Sequence, residues 1–156
     1  MFNQIENNPK VMTKEIKTEI LIEASPEKIW AILRDFEEYP NWNPFIVSIK
    51  GKLEEGSKIK ANIKPPDGKE MIFKPTILTK IDNKELSWLG KVLIDGLFDG
   101  EHKFELIDNG NGTVTFIQSE IFRGVFVWLF NPQKTENGFN EMNKRLKELA
   151  ENSVCG

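Results

Sequence analysis

KEIKTEILIE, Lys14 to Glu23, alternates with a period of two. Ile16, Thr18, Ile20 and Ile22 fall on one face, Lys17, Glu19 and Glu23 on the other. That is the pattern of a half-buried strand. The period then changes. In ASPEKIWAILRDF, Ile29, Ile32, Leu33 and Phe36 recur at helical spacing. Ser25 suits an N-cap and Pro26 the first helical position. The two prolines of EEYPNWNPF stop regular structure after it. From Phe45 the period returns to two. FIVSIKGKL, KIKANIK, EMIFKPTILTKI, ELSWLGKVLI, GEHKFELI and TVTFIQSEIF read as strands, parted by turn signals such as EEGS, PPDGK and NGNG. In the third of these, Met71, Phe73, Ile77 and Ile81 share a face, and Pro75 calls for an edge position or a bulge. From about Thr135 to Asn152 the helical period returns. Phe139, Met142, Leu146, Leu149 and Ala150 form one stripe there, with Lys144, Lys147, Glu148 and Glu151 elsewhere.

The order is strand, helical segment, six strands, long helix. This predicts an α+β fold in which one seven-stranded antiparallel sheet curls around the C-terminal helix, with short helices after the first strand. A curled sheet gripping a helix leaves space between the two, where a small-molecule pocket sits. At 156 residues one domain is expected. The reading sets Lys14 to Asn152 as that domain, with residues 1–13 as an N-terminal extension and 153–156 as a C-terminal tail.

The chemistry concentrates on one hairpin. His102, the only histidine, shares a strand face with Phe104 and Leu106, because Glu101, Lys103 and Glu105 must face out. On the next strand, Val114, Phe116, Gln118, Glu120 and Phe122 form the bulkier apolar face. Turning both faces inward requires an odd-numbered hairpin loop with glycine in the left-handed region. His102 then lies opposite Glu120 or Gln118, with Cβ atoms about 5 Å apart. A buried charge is costly unless paired. Three readings stay open: a satisfied polar pair inside the fold, a polar anchor that orients a ligand, or acid/base catalysis in which Glu120 sets the tautomer and basicity of His102.

Other candidates are aromatic. Trp88 is a core residue that also suits a ligand wall, and Trp30 packs in the first helix. Trp42 and Phe45 lie in the irregular YPNWNPF segment, and loops held on a scaffold often carry binding residues. Phe126, Trp128 and Phe130 of GVFVWLF crowd between the last strand and the last helix, as an apolar lip over the cavity mouth or a surface for a protein partner. Leu97 and Phe98 of DGLFDG could form the facing lip.

Charge and motifs narrow the classes. A net charge of -3 without a basic block excludes the footprint of a nucleic-acid binder. The longest apolar run is far short of the ~20 residues that cross a bilayer, so no integral membrane association is expected. One histidine and one carboxylate are too few for a metal site, and one cysteine, Cys155, allows neither a disulfide within the chain nor a cysteine-based zinc site. P-loop, GxGxxG, GxSxG and HExxH motifs are absent, and no cofactor is expected. Low cysteine content and no signal-peptide pattern suggest the cytoplasm.

EASPEKIWAILRDFEEYPNWNPF, GEHKFELI, FIQSEIFRG and GFNEMNKRLKE together resemble the START-like, or SRPBCC, superfamily, and most of all its small bacterial polyketide cyclase/dehydrase-like members. The superfamily also includes birch-allergen-like and Hsp90-activator-like proteins. The resemblance implies the helix-grip fold, a sheet wrapped around a long C-terminal helix with a pocket between them. It brings no catalytic set onto the chain, and a shared fold does not settle function. The expected function is binding of a small hydrophobic or amphipathic ligand, lipid-, aromatic- or polyketide-like. Trp42, Phe45, Phe73, Trp88, Phe98, Phe104, Phe116, Phe122, Phe139 and Met142 would supply apolar walls, while His102, Gln118 and Glu120 orient a polar group. The alternatives are a cyclase- or dehydratase-type enzyme using His102 and Glu120, and a co-chaperone-like binder of protein partners.

Overall fold

Ser25 does cap a helix: its Oγ accepts the Lys28 amide at 3.3 Å, and α1 runs Pro26–Arg34. The computed structural model describes residues 11–91, 98–125, 127 and 131–152. Before α1 comes β1 (Met12–Ile22), and after it a 3-10 turn (Phe36–Glu38) and the one-turn α2 (Tyr39–Trp42). Then follow β2 (Ile46–Lys50), β3 (Lys60–Ile63), β4 (Met71–Phe73), β5 (Thr76–Ile81), β6 (Glu85–Lys91), β7 (Asp99–Asp108) and β8 (Val114–Gly124). The long helix α3 spans Gln133–Asn152.

The single seven-stranded sheet does not form. Among the described residues the strands make a five-stranded sheet, ordered β1-β8-β7-β6-β5, and a separate three-stranded sheet, β2-β3-β4. Pro75 is the physical reason. Without an N–H it cannot continue a ladder, and the run read as one strand splits around it. β4 stays with β3, and β5 joins β6. The carbonyl of Pro75 accepts the Ile59 amide at 2.9 Å, and the Ile77 amide donates to Ser57 at 2.9 Å, so the segment before β3 joins the two sheets. A register shift between Ile77 and Thr79 changes the face as well. Ile77 is buried while Met71 and Ile81 are exposed, so these residues do not form the common face expected of them.

The helix stripe is largely as read. Phe139, Met142, Leu146 and Ala150 are fully buried; Leu149 falls off the stripe and is exposed, and the buried Asn143 takes a place on it. Asn143 Nδ2 donates to Thr18 Oγ1 at 2.9 Å, and that hydroxyl donates to the Gln118 carbonyl at 3.1 Å, which joins helix and sheet at mid-length. Near the C-terminal end of α3, Lys147 Nζ donates to the Leu21 carbonyl at 2.7 Å. Glu151 accepts the Glu23 amide at 2.9 Å, and this bond, more than the neighbouring Lys147, holds its carboxyl below the usual range. Thr135, in the first turn of α3, reaches the space between the two sheets.

Candidate functional site

The β7–β8 hairpin has the odd loop its faces require. Asp108 pairs with Val114, leaving residues 109–113 between them, and Gly110 and Gly112 have φ of 75° and 83°. His102 therefore pairs with Glu120, and Phe104 with Gln118. Adding β6 and β1 gives three rungs across the inner face. Leu86, Phe104, Gln118 and Thr18 form the first, and Trp88, His102, Glu120 and Ile16 the second. In the third, Gly90 and Gly100 precede Phe122 and Lys14. The first rung is sealed core. At the third, two strands present no side chain, and space opens.

His102 is held on every side. Its ring stacks on Trp88 with centroids 4.9 Å apart and planes at 12°, and meets Phe104 and Phe139 edge-on at 4.7 and 5.1 Å. Nδ1 lies 3.4 Å from Glu120 Oε2, and Nε2 lies 3.3 Å from Gln118 Nε2. The Gln118 amide nitrogen also reaches Met142 Sδ at 3.5 Å, an acceptor, so the nitrogen end of the amide is turned this way. Both ring nitrogens of His102 thus face protein groups. Glu120 has an oxygen to spare: Oε1 lies over Gly100, where a Cβ would meet it at 2.7 Å.

These groups border a cavity of about 370 Å³. Trp88, His102, Glu120, Phe122 and the two glycines give the wall from the five-stranded sheet. Ala61, Ile63, Met71 and Phe73 of the small sheet face them, with Phe45, Ile46, Pro65, Pro75 and Phe98 between. Thr135 of α3 completes the lining. Phe98 packs its ring 5.5 Å from that of Phe122.

Seven expected site residues therefore come together: Phe45, Phe73, Trp88, Phe98, His102, Glu120 and Phe122. Phe104, Phe116, Gln118, Phe139 and Met142 are fully buried behind the wall and hold it in place. Trp42 is elsewhere. It ends α2 and lines an open groove with Pro40, Pro44, Arg145 and Leu149. Leu97, Phe126, Trp128 and Phe130, expected at the cavity mouth, lie outside the described residues. Sequence reasoning passed over Gly90, Gly100, Ala61 and Thr135 because small residues add nothing to a hydrophobic pattern. The signal available was the Gly-Glu-His spacing, which puts a glycine beside His102 on the same face.

This geometry, a carboxylate and an imidazole set into an apolar cavity under a long helix, can be placed among known proteins. A family model described as "Polyketide cyclase / dehydrase and lipid transport" matches residues 13–152. The chain belongs to this family. No curated protein matches the chain. Solved structures of the polyketide cyclase/dehydrase-like fold are similar to it. Norcoclaurine synthase from Thalictrum flavum, in complex with dopamine and hydroxybenzaldehyde, superposes with a TM-score of 0.74 at 15% identity, covering 100% of this chain and 96% of that one. SA2116 from Staphylococcus aureus, of unknown function, gives 0.68 at 14% identity, covering 94% and 98%. The di-domain ARO/CYC BexL of the BE-7585A biosynthetic pathway gives 0.70 at 10% identity, covering 91% of this chain and 51% of BexL. At these identities the likeness is one of fold. Among the described residues no helix is long and apolar enough to cross a membrane.

Proposed function

We infer that the protein binds a small hydrophobic or amphipathic molecule between its two sheets and α3. The cavity carries this reading: about 370 Å³, walled mainly by aromatic and aliphatic side chains, with one carboxylate directed into it. Pockets of this size and character bury most of a small ligand's surface. Native mass spectrometry of freshly purified protein, set against the denatured mass, tests it. A reproducible adduct that leaves on denaturation supports the reading and identifies the ligand class. Titration with hydrophobic probes follows binding through Trp88, whose ring faces the cavity. No adduct and no response to any probe would sink it.

A second reading, an enzyme of the cyclase or dehydratase type, is favoured by the Glu120–His102 contact of 3.4 Å. In this reading the expected roles are reversed. Glu120 would exchange the proton with substrate, and His102, closed off by Gln118, would hold the carboxylate in position. Glu120→Gln should then cost more turnover than His102→Ala. Full turnover in both variants would exclude the pair from any chemistry.

A further inference from the structure

The head group the cavity accepts can be argued from its charges. Among the described residues no Lys or Arg side chain lines it. Its polar lining groups among the described residues are Glu120, His102, the Thr135 hydroxyl and the Trp88 indole N–H, so Glu120 is the one charged carboxylate there. His102 is 4% exposed, with Nδ1 beside Glu120 and Nε2 beside Gln118, so its ring nitrogens face protein groups and not the ligand. Glu120 spends Oε2 on His102. Its Oε1 occupies the room left by the missing side chain of Gly100, so the free end of the carboxylate is carried at the glycine rung where the space opens. The Glu120 side chain is 19% exposed, little enough for the apolar walls to strengthen its field. An anionic head group here would meet a like charge, with no Lys or Arg among the described lining residues beside it. A head group that donates hydrogen bonds, above all a cationic one, would meet an acceptor already oriented.

We propose that the ligand is an amphipathic amine, its hydrocarbon part lying against Trp88, Phe73, Phe98 and Phe122 and its ammonium group donating to Glu120 Oε1. The same geometry discriminates against carboxylates of equal hydrocarbon content, such as fatty or aryl-alkanoic acids. The proposal rests on the cavity being a binding site and adds the sign of the head group.

Calorimetric titration at neutral pH with phenylbutylamine, phenylbutanoate and butylbenzene tests it, since the three share one hydrocarbon part. The amine should bind at least tenfold tighter than the acid. Glu120→Gln, with folding checked by circular dichroism, should reduce that ratio to threefold or less, chiefly by weakening the amine. The wild-type ratio stands without the variant. An acid that binds as tightly as the amine, or a ratio that Glu120→Gln leaves unchanged, overturns the proposal. If butylbenzene binds and the head groups make no difference, the cavity stands and only the proposal falls. If none of the three binds, the binding reading fails and takes the proposal with it.

Discussion

Gly90 and Gly100 pair across β6 and β7, yet the space above each differs. A Cβ at Gly100 would sit 2.7 Å from Glu120 Oε1 and 3.5 Å from the Phe122 ring, whereas one at Gly90 meets nothing closer than 3.9 Å. Gly100→Ala must push the carboxylate off its seat and disturb the contact with His102. It should destabilise by about 1–2 kcal/mol through overpacking. Gly90→Ala fits, and relief of backbone entropy in a strand should offset its effects by about 0.5–1 kcal/mol. It fills part of the cavity all the same, so probe affinity should fall while the melting temperature holds. Thermal denaturation and probe titration of the two variants read both effects. Equal behaviour would mean that the position of Glu120 does not depend on Gly100. The polar residues of this site were legible in the sequence, because alternation and an odd loop place His102 opposite a carboxylate. The glycines were not, since a missing side chain leaves no mark on a pattern of side chains. Trp42 misled for the opposite reason: a large aromatic in a loop announces itself without saying which groove it faces.

At the scale of the element, α3 carries a conflict that its propensity cannot explain. Gly138 lies inside the helix, where Ala is better by about 1 kcal/mol. A Cβ there would run into the Phe45 ring at Cδ2. That ring is buried and locked edge-on against Phe139, with centroids 5.4 Å apart. Overpacking costs typically 1–3 kcal/mol, so Gly138→Ala should destabilise by about 1 kcal/mol in spite of its better propensity, and displace Phe45 from the cavity wall. Chemical denaturation measures this. A stabilised Gly138→Ala would show that Phe45 has room to yield. Period and capping made α1, α3 and the long hairpin legible. What happens at Pro75 was not, because the sequence shows that the ladder must be interrupted there but not whether the chain bulges within one sheet or passes to another. Packing decides that: β4 pairs with β3, and the ladder resumes beside β6. Leu149 was misplaced by one step of the same helical stripe that positions Leu146, a position that Asn143 can fill only because Thr18 satisfies its amide.

At the scale of the molecule, two couplings follow. The Tyr39 hydroxyl, fully buried, donates to the Leu33 carbonyl at 2.6 Å. Burial, and then the Asp35 carboxylate, push its phenol far above its ordinary value. The unfolded chain therefore releases this proton first as pH rises. The tyrosine's contribution is complete below about pH 10 and is lost above it, by about 1.4 kcal/mol per pH unit. Tyr39→Phe should start less stable by about 1 kcal/mol for the lost hydrogen bond and show a shallower loss in base; denaturation from neutral to alkaline pH compares the two. The second coupling joins the sheets. The strands of the small sheet hold 5, 4 and 3 residues, against 10 and 11 in β7 and β8. Short strands with exposed neighbours such as Ile72 open at low cost. Ala61, Ile63, Met71 and Phe73 nonetheless form one wall of the cavity, and a ligand that spans the gap touches both sheets. Any opening that removes this wall must first release the ligand, so ligand binding slows it by a factor approaching 1 + [L]/Kd. Hydrogen exchange should therefore find the β3 and β4 amides faster than those of β7 and β8 in the free protein. They should slow markedly when phenylbutylamine is added to saturation. Exchange at β3 and β4 that does not respond to a bound probe would mean the small sheet opens without disturbing the ligand, and the binding surface would then belong to the large sheet and α3 alone.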